Sequence, residues 1–318
     1  MTAWGAATRA RNSPRRKRSV TTHDRPPVCD YEGSDYQQRF WEQGGRAYED
    51  GAEAVALRHL LPPEGGELLL EIGAGAGRNT PRYHGYRRVV LLDYSRTQLR
   101  QAQERLGRSD RYIYVAADAY TMPFVDGLFD GATMIRVLHH MAEPLAVLQE
   151  TRRVMRPEGI FILEFASKRN LKAILRWLLR RQAWSPFTPE PVEFAPLNYD
   201  FHPRQVQAWL AEAGFTVEDI RTVSHFRIGL LKRLVPTRVL VALDALAQPT
   251  GRWWQLTPSV FVRARAQGQP ETAPEGAFFR CPACGHAPLE SHPDVLACPH
   301  CGARWAIRDG IYDFKEPM

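Results

Sequence analysis

Two groups of residues in this chain of 318 have the types and spacing for chemistry. The first is Cys281-x-x-Cys284-Gly285 and Cys298-x-x-Cys301-Gly302, with 13 residues between the two pairs. Four thiolates so placed can meet one tetrahedral zinc ion, and each trailing glycine permits the turn that aims backbone N–H groups at sulfur. Such a shell is complete, so the expected metal is structural and leaves no position for water. Disulfides are the alternative, and C-x-x-C pairs in a chain with no secretion signal suit metal better. His286, His292 and His300 are spare ligands, and Cys29 is the one other thiol. The second group is Glu71, Gly73, Gly75 and Gly77, three glycines at alternate positions behind the apolar run Leu68-Leu69-Leu70. Glycines there let the backbone take dihedrals closed to other residues and lie flat against a ligand. In α/β sheets that place, the carboxyl end of the first strand, binds nucleoside-bearing cofactors. A dinucleotide fingerprint begun at Gly73 needs a small residue at 78, where Arg78 stands, and no Gly-Lys-Ser/Thr phosphate loop is present. The remaining reading of the glycines is a purely structural turn.

The elements that would position these residues alternate strand and helix. Arg88–Asp93 reads as a second buried strand ending in an acid, with Asp93 18 residues past Gly75. That is near the spacing at which such folds set a carboxylate on ribose hydroxyls, although Asp93 could also be a helix-capping acid. Ser95-Arg96-Thr97-Gln98 has the form of a capping box opening a helix with Leu99, Ala102 and Leu106 on one face. Tyr112–Ala117 is a third strand, followed by Asp118-Ala119. Phe129–Ile135 is a fourth, and Ile160–Phe165 a fifth, reached through a helix over 144–155. The alternation implies a parallel sheet.

An acid followed by G-x-G-x-G resembles the first motif of S-adenosylmethionine-dependent methyltransferases, and the landmarks after it extend the likeness over about 36–265. They include Phe201-His202-Pro203, Ala213-Gly214-Phe215 before a sixth strand and Leu256–Val262 as a seventh. The resemblance is to the class I small-molecule branch that contains the ubiquinone and menaquinone biosynthesis enzymes. It implies an α/β fold: a Rossmann-like seven-stranded methyltransferase sheet with helices on both faces. It also implies that Glu71, Gly73, Gly75 and Gly77 surround the methionine part of the cofactor, Asp93 binds its ribose, and Asp118 with the Ala119 amide reads adenine. An acid near a sulfonium and an ammonium makes electrostatic sense.

Composition bounds the rest. The net charge is +7, but residues 1–20 hold six cations and no acid, leaving +1 for the body, so the overall charge is no evidence of a nucleic-acid-binding face. The expected division is a disordered basic tail over 1–34, a methyltransferase domain over 35–266, a linker over 267–276 and a zinc ribbon over 277–318. Substrate-side insertions are expected at 167–200 and 226–250. No apolar run nears the roughly 20 residues of a membrane span, and the basic start leads into no apolar stretch, so a cytoplasmic protein is expected. Tyr36, Phe40, Trp41 and Tyr48 mark where ordered structure should begin.

The residues from Cys298 to Phe314 resemble the small zinc-ribbon activator that partners eukaryotic methyltransferases of transfer RNA, ribosomal RNA and release factor. That likeness supplies the rival to a small-molecule acceptor: RNA or protein recruited through the ribbon. A third reading is a catalytically degenerate cofactor-binding scaffold. After the fourth strand, Arg136-Val137-Leu138-His139-His140-Met141 lacks the Asn/Asp-Pro-Pro-aromatic loop used on base amines or glutamine. No cysteine lies between Cys29 and Cys281, which disfavours carbon-5 cytosine chemistry. His139 or His140 could accept a proton; a packed pair is the alternative, and no catalytic residue is assigned. Leu171, Ile174, Leu175, Leu178 and Leu179 form an apolar helical stripe beside Lys172, Arg176 and Arg180. It reads as a lid touching an anionic membrane surface, as a rail for RNA phosphates, or as a helix packed on the sheet with its cations in water. Together with the apolar-basic stretch 226–246, it favours a hydrophobic or amphiphilic small acceptor.

Overall fold

The strand-and-helix alternation produces one continuous sheet in the computed structural model, which describes residues 26–34, 41, 43–268 and 276–318. The basic run at 15–18, Tyr36, Phe40 and most of the 267–276 linker lie outside the described residues. Helix α1 (Ala47–Leu60) precedes β1 (Gly66–Ile72), β2 (Tyr86–Asp93), α2 (Arg96–Leu106), β3 (Tyr112–Ala116) and β4 (Phe129–Met134). Helix α3 (Pro144–Val154) runs into β5 (Met155–Ala166), which is followed by α4 (Leu171–Leu178) and a hairpin of β6 (Val192–Ala195) and β7 (Asn198–Asp200). The domain closes with α5 (Pro203–Glu212), β8 (Phe215–Val223), α6 (Gly229–Leu234), α7 (Thr237–Ala247) and β9 (Ser259–Ala266).

The order β3-β2-β1-β4-β5-β9-β8 makes seven strands, of which β1 to β5 are parallel and β9 is antiparallel to both its neighbours. Leu69 and Leu70 point to opposite faces of β1, and both are fully buried, as an apolar run in a sheet covered on both sides requires. Two apolar cores result, one on each face of the sheet. Among the described residues, no helix is long and apolar enough to cross a membrane.

The cysteine-bearing segment extends this sheet. Strands β10 (Glu290–His292), β11 (Val295–Ala297), β12 (Arg304–Arg308) and β13 (Ile311–Asp313) form an antiparallel ribbon, and β13 pairs in parallel with β3, making eleven strands. Phe124 is buried between Phe129, Phe278 and Phe279, and Phe279 continues onto Tyr312 and Phe314. Backbone bonds from Val125 N to Phe278 O and from Arg280 N to Pro123 O tie the same seam.

Three local findings differ from expectation. Ser95 does accept from Gln98 N, but the Gln98 amide reaches Ser34 O rather than back to Ser95. Asp93 Oδ1 accepts the Ser95 N–H in its place. Residues 26–34, read from sequence as the end of the tail, lie along α2, because Glu32 accepts from the Arg96 and Thr97 N–H groups at its start. The stripe on α4 is not packed on the sheet: Leu171, Leu175, Leu178 and Leu179 are half or more exposed, and only Ala173 of that helix is buried.

Candidate functional site

At the end of β1 the chain turns on left-handed glycines. Gly73 has φ +66°, and a Cβ there would lie 2.2 Å from Val137 Cγ2, so only glycine fits. A Cβ at Gly77 would meet Leu106 Cδ1 at 2.9 Å, which seats the turn on α2 rather than in the cavity. Gly75, φ +54°, faces open space, with nothing nearer than Gln98 Oε1 at 3.8 Å. Its N–H donates to Asp93 Oδ2 at 2.8 Å while Ser95 N donates to Oδ1 at 2.8 Å, so one carboxylate fixes both loops.

A single cavity at the carboxyl ends of the parallel strands gathers Glu71, Gly73, Gly75, Asp93, Asp118 and Ala119 in its wall. Glu71 is buried and accepts from Thr80 Oγ1 at 2.6 Å and Tyr83 OH at 3.2 Å. Burial outweighs those bonds and pushes its carboxyl up to about 7. Asp93 is likewise pushed up to about 6 by burial, against its two amide hydrogen bonds. Asp118 Oδ1 accepts from Tyr120 N at 2.9 Å.

Other wall residues carry no motif. Tyr31 OH lies 3.1 Å from His140 Nε2, and His140 Nδ1 lies 2.9 Å from Leu197 O. A carbonyl only accepts, so Nδ1 carries the proton and Nε2 accepts from the Tyr31 hydroxyl. Burial lowers the pKa of His140 and holds it neutral. His139 stands outside the cavity wall, pushed well down by burial, and its Nδ1 meets no hydrogen-bond partner among the described residues. Arg136 takes the uncommon φ of 61° for a side-chain-bearing residue. Its N–H donates to Glu164 Oε2 at 2.9 Å, and its guanidinium bonds Glu53 at 3.0 Å. Arg78 binds the same Glu53 at 2.7 Å and also Asp50, and it stacks over Trp41 at 3.5 Å. Both wall cations are thus paired with carboxylates of α1. No pattern in the sequence signals these pairings, which join residues as far apart as 31 and 140.

The second site is the cysteine cluster. The Sγ atoms of Cys281, Cys284, Cys298 and Cys301 all lie within 4.8 Å of one another, with Cys281–Cys301 at 3.7 Å and Cys284–Cys298 at 3.6 Å. A tetrahedron with zinc–sulfur bonds of about 2.3 Å has edges of about 3.8 Å, whereas a disulfide needs about 2.05 Å. The donor set fits a metal. The two knuckles are alike: Gly285 N donates to Cys281 O and Gly302 N to Cys298 O, with φ +77° and +75° at the glycines.

Comparison with known proteins agrees with this geometry. A family model described as a methyltransferase domain matches residues 70–163. A demethylmenaquinone methyltransferase of Clavibacter sepedonicus is 30% identical over 209 residues, covering 62% of this chain and 80% of the relative. The ubiquinone/menaquinone biosynthesis C-methyltransferase UbiE of Roseobacter denitrificans is 31% identical over 122 residues, covering 36% of this chain and about half (49%) of the relative. Among solved structures, an S-adenosylmethionine-dependent methyltransferase of Listeria monocytogenes aligns at TM-score 0.51 and 16% identity, covering 70% of this chain and 99% of that one. A Haloferax volcanii complex of the Trm112 methyltransferase activator with a methyltransferase aligns at TM-score 0.51 and 16% identity, covering 74% and 95%. At such identity the likeness is one of fold.

Proposed function

Because the chain belongs to the S-adenosylmethionine-dependent methyltransferases, we propose that it methylates a hydrophobic or amphiphilic small molecule held against the outer wall of the cavity. The carrying observation is the chemistry of that wall. Val28, Val137 and Met141 are apolar, and the polar groups beside them are the Tyr31 hydroxyl and the His140 imidazole that it bonds. The relative in Clavibacter sepedonicus is named for demethylmenaquinone, an acceptor of that kind.

Glu71 and the Gly73–Gly75 turn hold the methionine end of S-adenosylmethionine, Asp93 the ribose, and Asp118 with the Ala119 amide the adenine; Gly77 seats the turn. The fit is chemical: buried Glu71 and part-buried Asp93 suit a cationic ligand, and both wall arginines are already paired with acids, which leaves them poor partners for a pyrophosphate. The cofactor supplies a methyl group activated by its sulfonium charge, so the protein's work is largely to align the acceptor and exclude water. His140 Nε2, once Tyr31 yields its hydrogen bond, accepts the acceptor's proton; its ring is held in that tautomer by Leu197 O.

Residues 277–318 bind one structural zinc through Cys281, Cys284, Cys298 and Cys301. By adding Ile311–Asp313 to the edge of β3, the ribbon supports in cis the strand that leads into Asp118. The acceptor class is tested by incubating the protein with methyl-tritiated cofactor and cell extract, then separating lipid, RNA and protein. Label in the organic phase is expected. Label in RNA or protein would replace this reading with macromolecular methylation, and no label in any fraction would point to a scaffold.

A further inference from the structure

The large apolar side chains that face solvent are not scattered. Among the described residues, every one except Met318 falls between Leu171 and Trp254. At the end of α4, Leu178 and the following Leu179 are 61% and 62% exposed; Leu234 at the end of α6 is 71% exposed, Leu246 on α7 is 80%, and Trp253 is 72%. Isolated apolar groups on a surface need no explanation, but such a concentration marks a binding face.

These segments adjoin. Leu171 N donates to Leu256 O at 2.8 Å, which sets the start of α4 beside Trp253 and Trp254. Lys168, just before α4, and Arg227, just before α6, both act electrostatically on Asp200 of β7. The same hairpin reaches the cavity, since Leu197 O holds His140. The face therefore surrounds the acceptor side of the site rather than the sheet edge occupied by the ribbon.

The two helical segments of the face carry exposed charge of one sign, and the exposed acids Glu190 and Glu193 stand between them in the chain, beside Phe187 and Phe194. Lys172, Arg176, Arg180, Arg181, Arg233 and Arg238 are exposed, and none makes an ion pair among the described residues. The segment 168–182 contains no acid, and in 226–246 the lone acid, Asp244, is fully buried against Tyr48 and His225. A second copy meeting this face by two-fold symmetry would set cations against cations. A neutral apolar partner would leave them unmatched. Leucines and two tryptophans interleaved with cations suit an interface that is apolar inside and anionic at its surface.

We propose that this face docks on an anionic lipid bilayer, with α4 and the Trp253–Trp254 turn at the level of the headgroups. The docking stands apart from the identity of the acceptor, since it rests on the outer surface and not on the cavity wall. Each cation removed should weaken attraction to the surface by about fivefold.

The test uses the full zinc-loaded chain and vesicles of phosphatidylcholine, alone or with roughly one third phosphatidylglycerol. The expected result is co-sedimentation with the mixed vesicles, weak binding to the neutral ones, and release as salt shortens the screening length. Lys172→Gln with Arg176→Gln should bind on the order of 25-fold more weakly. Leu178→Ser with Leu179→Ser should also lose binding, by removing the apolar part alone. Both pairs of positions are exposed, and an unchanged cofactor titration establishes that each variant is folded. Absence of binding to the mixed vesicles, or equal binding to both kinds at any salt, overturns the proposal. So does a solution dimer that the Leu178→Ser/Leu179→Ser variant dissociates.

Discussion

Replacing Glu71 with Gln tests whether a buried acid faces a cation in the cofactor. Its carboxyl, ordinarily near 4.5, is pushed up to about 7 by burial, so near neutral pH the ligand-free protein holds it about half protonated. A cationic ligand favours the ionised form and draws the pKa back toward its ordinary range. With that return, affinity should rise on the order of tenfold between pH 6 and pH 8, with about half a proton released per ligand bound at pH 7. Asp93, at about 6, adds roughly a factor of two over the same window in the same direction. In the ligand-free fold the sign reverses. A raised carboxyl pKa means the native state binds more protons than the unfolded chain, so these groups favour the fold below pH 5 and that contribution is lost as pH rises through 7. For Glu71 the effect is on the order of 3 kcal/mol. Glu71→Gln keeps hydrogen-bonding capacity toward Thr80 and Tyr83, whose hydroxyls can rotate, so the fold should persist. Calorimetric titration in two buffers of different ionisation heat, at pH 6, 7 and 8, reads affinity and proton release together. The variant should lose most of the pH dependence and about 1.5–3 kcal/mol of affinity at pH 8. An identical pH profile in wild type and variant would refute the assignment of Glu71 to the cation.

The glycine turn offers a paired contrast. Gly73→Ala, with its Cβ 2.2 Å from Val137 and φ +66°, should destabilise the fold by about 2–4 kcal/mol in urea denaturation. Gly75→Ala, facing open space, should cost only about 1 kcal/mol of stability yet lower cofactor affinity more than that, as titration would read. Asp93→Ala leaves the Gly75 and Ser95 N–H groups without their acceptor and should weaken cofactor binding by about 1.5–3 kcal/mol; unchanged affinity would make Asp93 structural only. Metal analysis should find one zinc per chain, and chelation should make the ribbon protease-sensitive, because about 40 residues seldom bury a core sufficient alone. Cofactor affinity should fall with it, since β13 and Phe314 N, bonded to Ala116 O, brace the end of β3.

What the sequence makes legible is what periodicity and spacing encode. Leu68–Leu70 and Val89–Leu92 are apolar on both faces because their strands are covered on both sides, and such runs announce a parallel sheet. The four cysteines are bound by ligand spacing, and the structure brings their sulfurs together. The ribbon's place in the main sheet was not legible. Ile311–Asp313 is three residues long, and neither its alternation nor its length encodes which strand edge it will join. The cavity's outer wall was equally hidden, because Tyr31, Trp41 and His140 meet only through tertiary packing. The stripe on α4 shows the converse. Its i, i+4, i+7 pattern signals an amphipathic helix correctly, but periodicity does not say what covers the apolar side.

The central claim is that the cavity formed by Glu71, the glycine turn, Asp93 and Asp118 is built for S-adenosylmethionine and not for a dinucleotide. Titration calorimetry of the zinc-loaded protein with S-adenosylmethionine and with NAD at pH 8 tests it most directly. The account predicts one site per chain for S-adenosylmethionine and no saturable heat with NAD. NAD binding tighter than the methyl donor would contradict it.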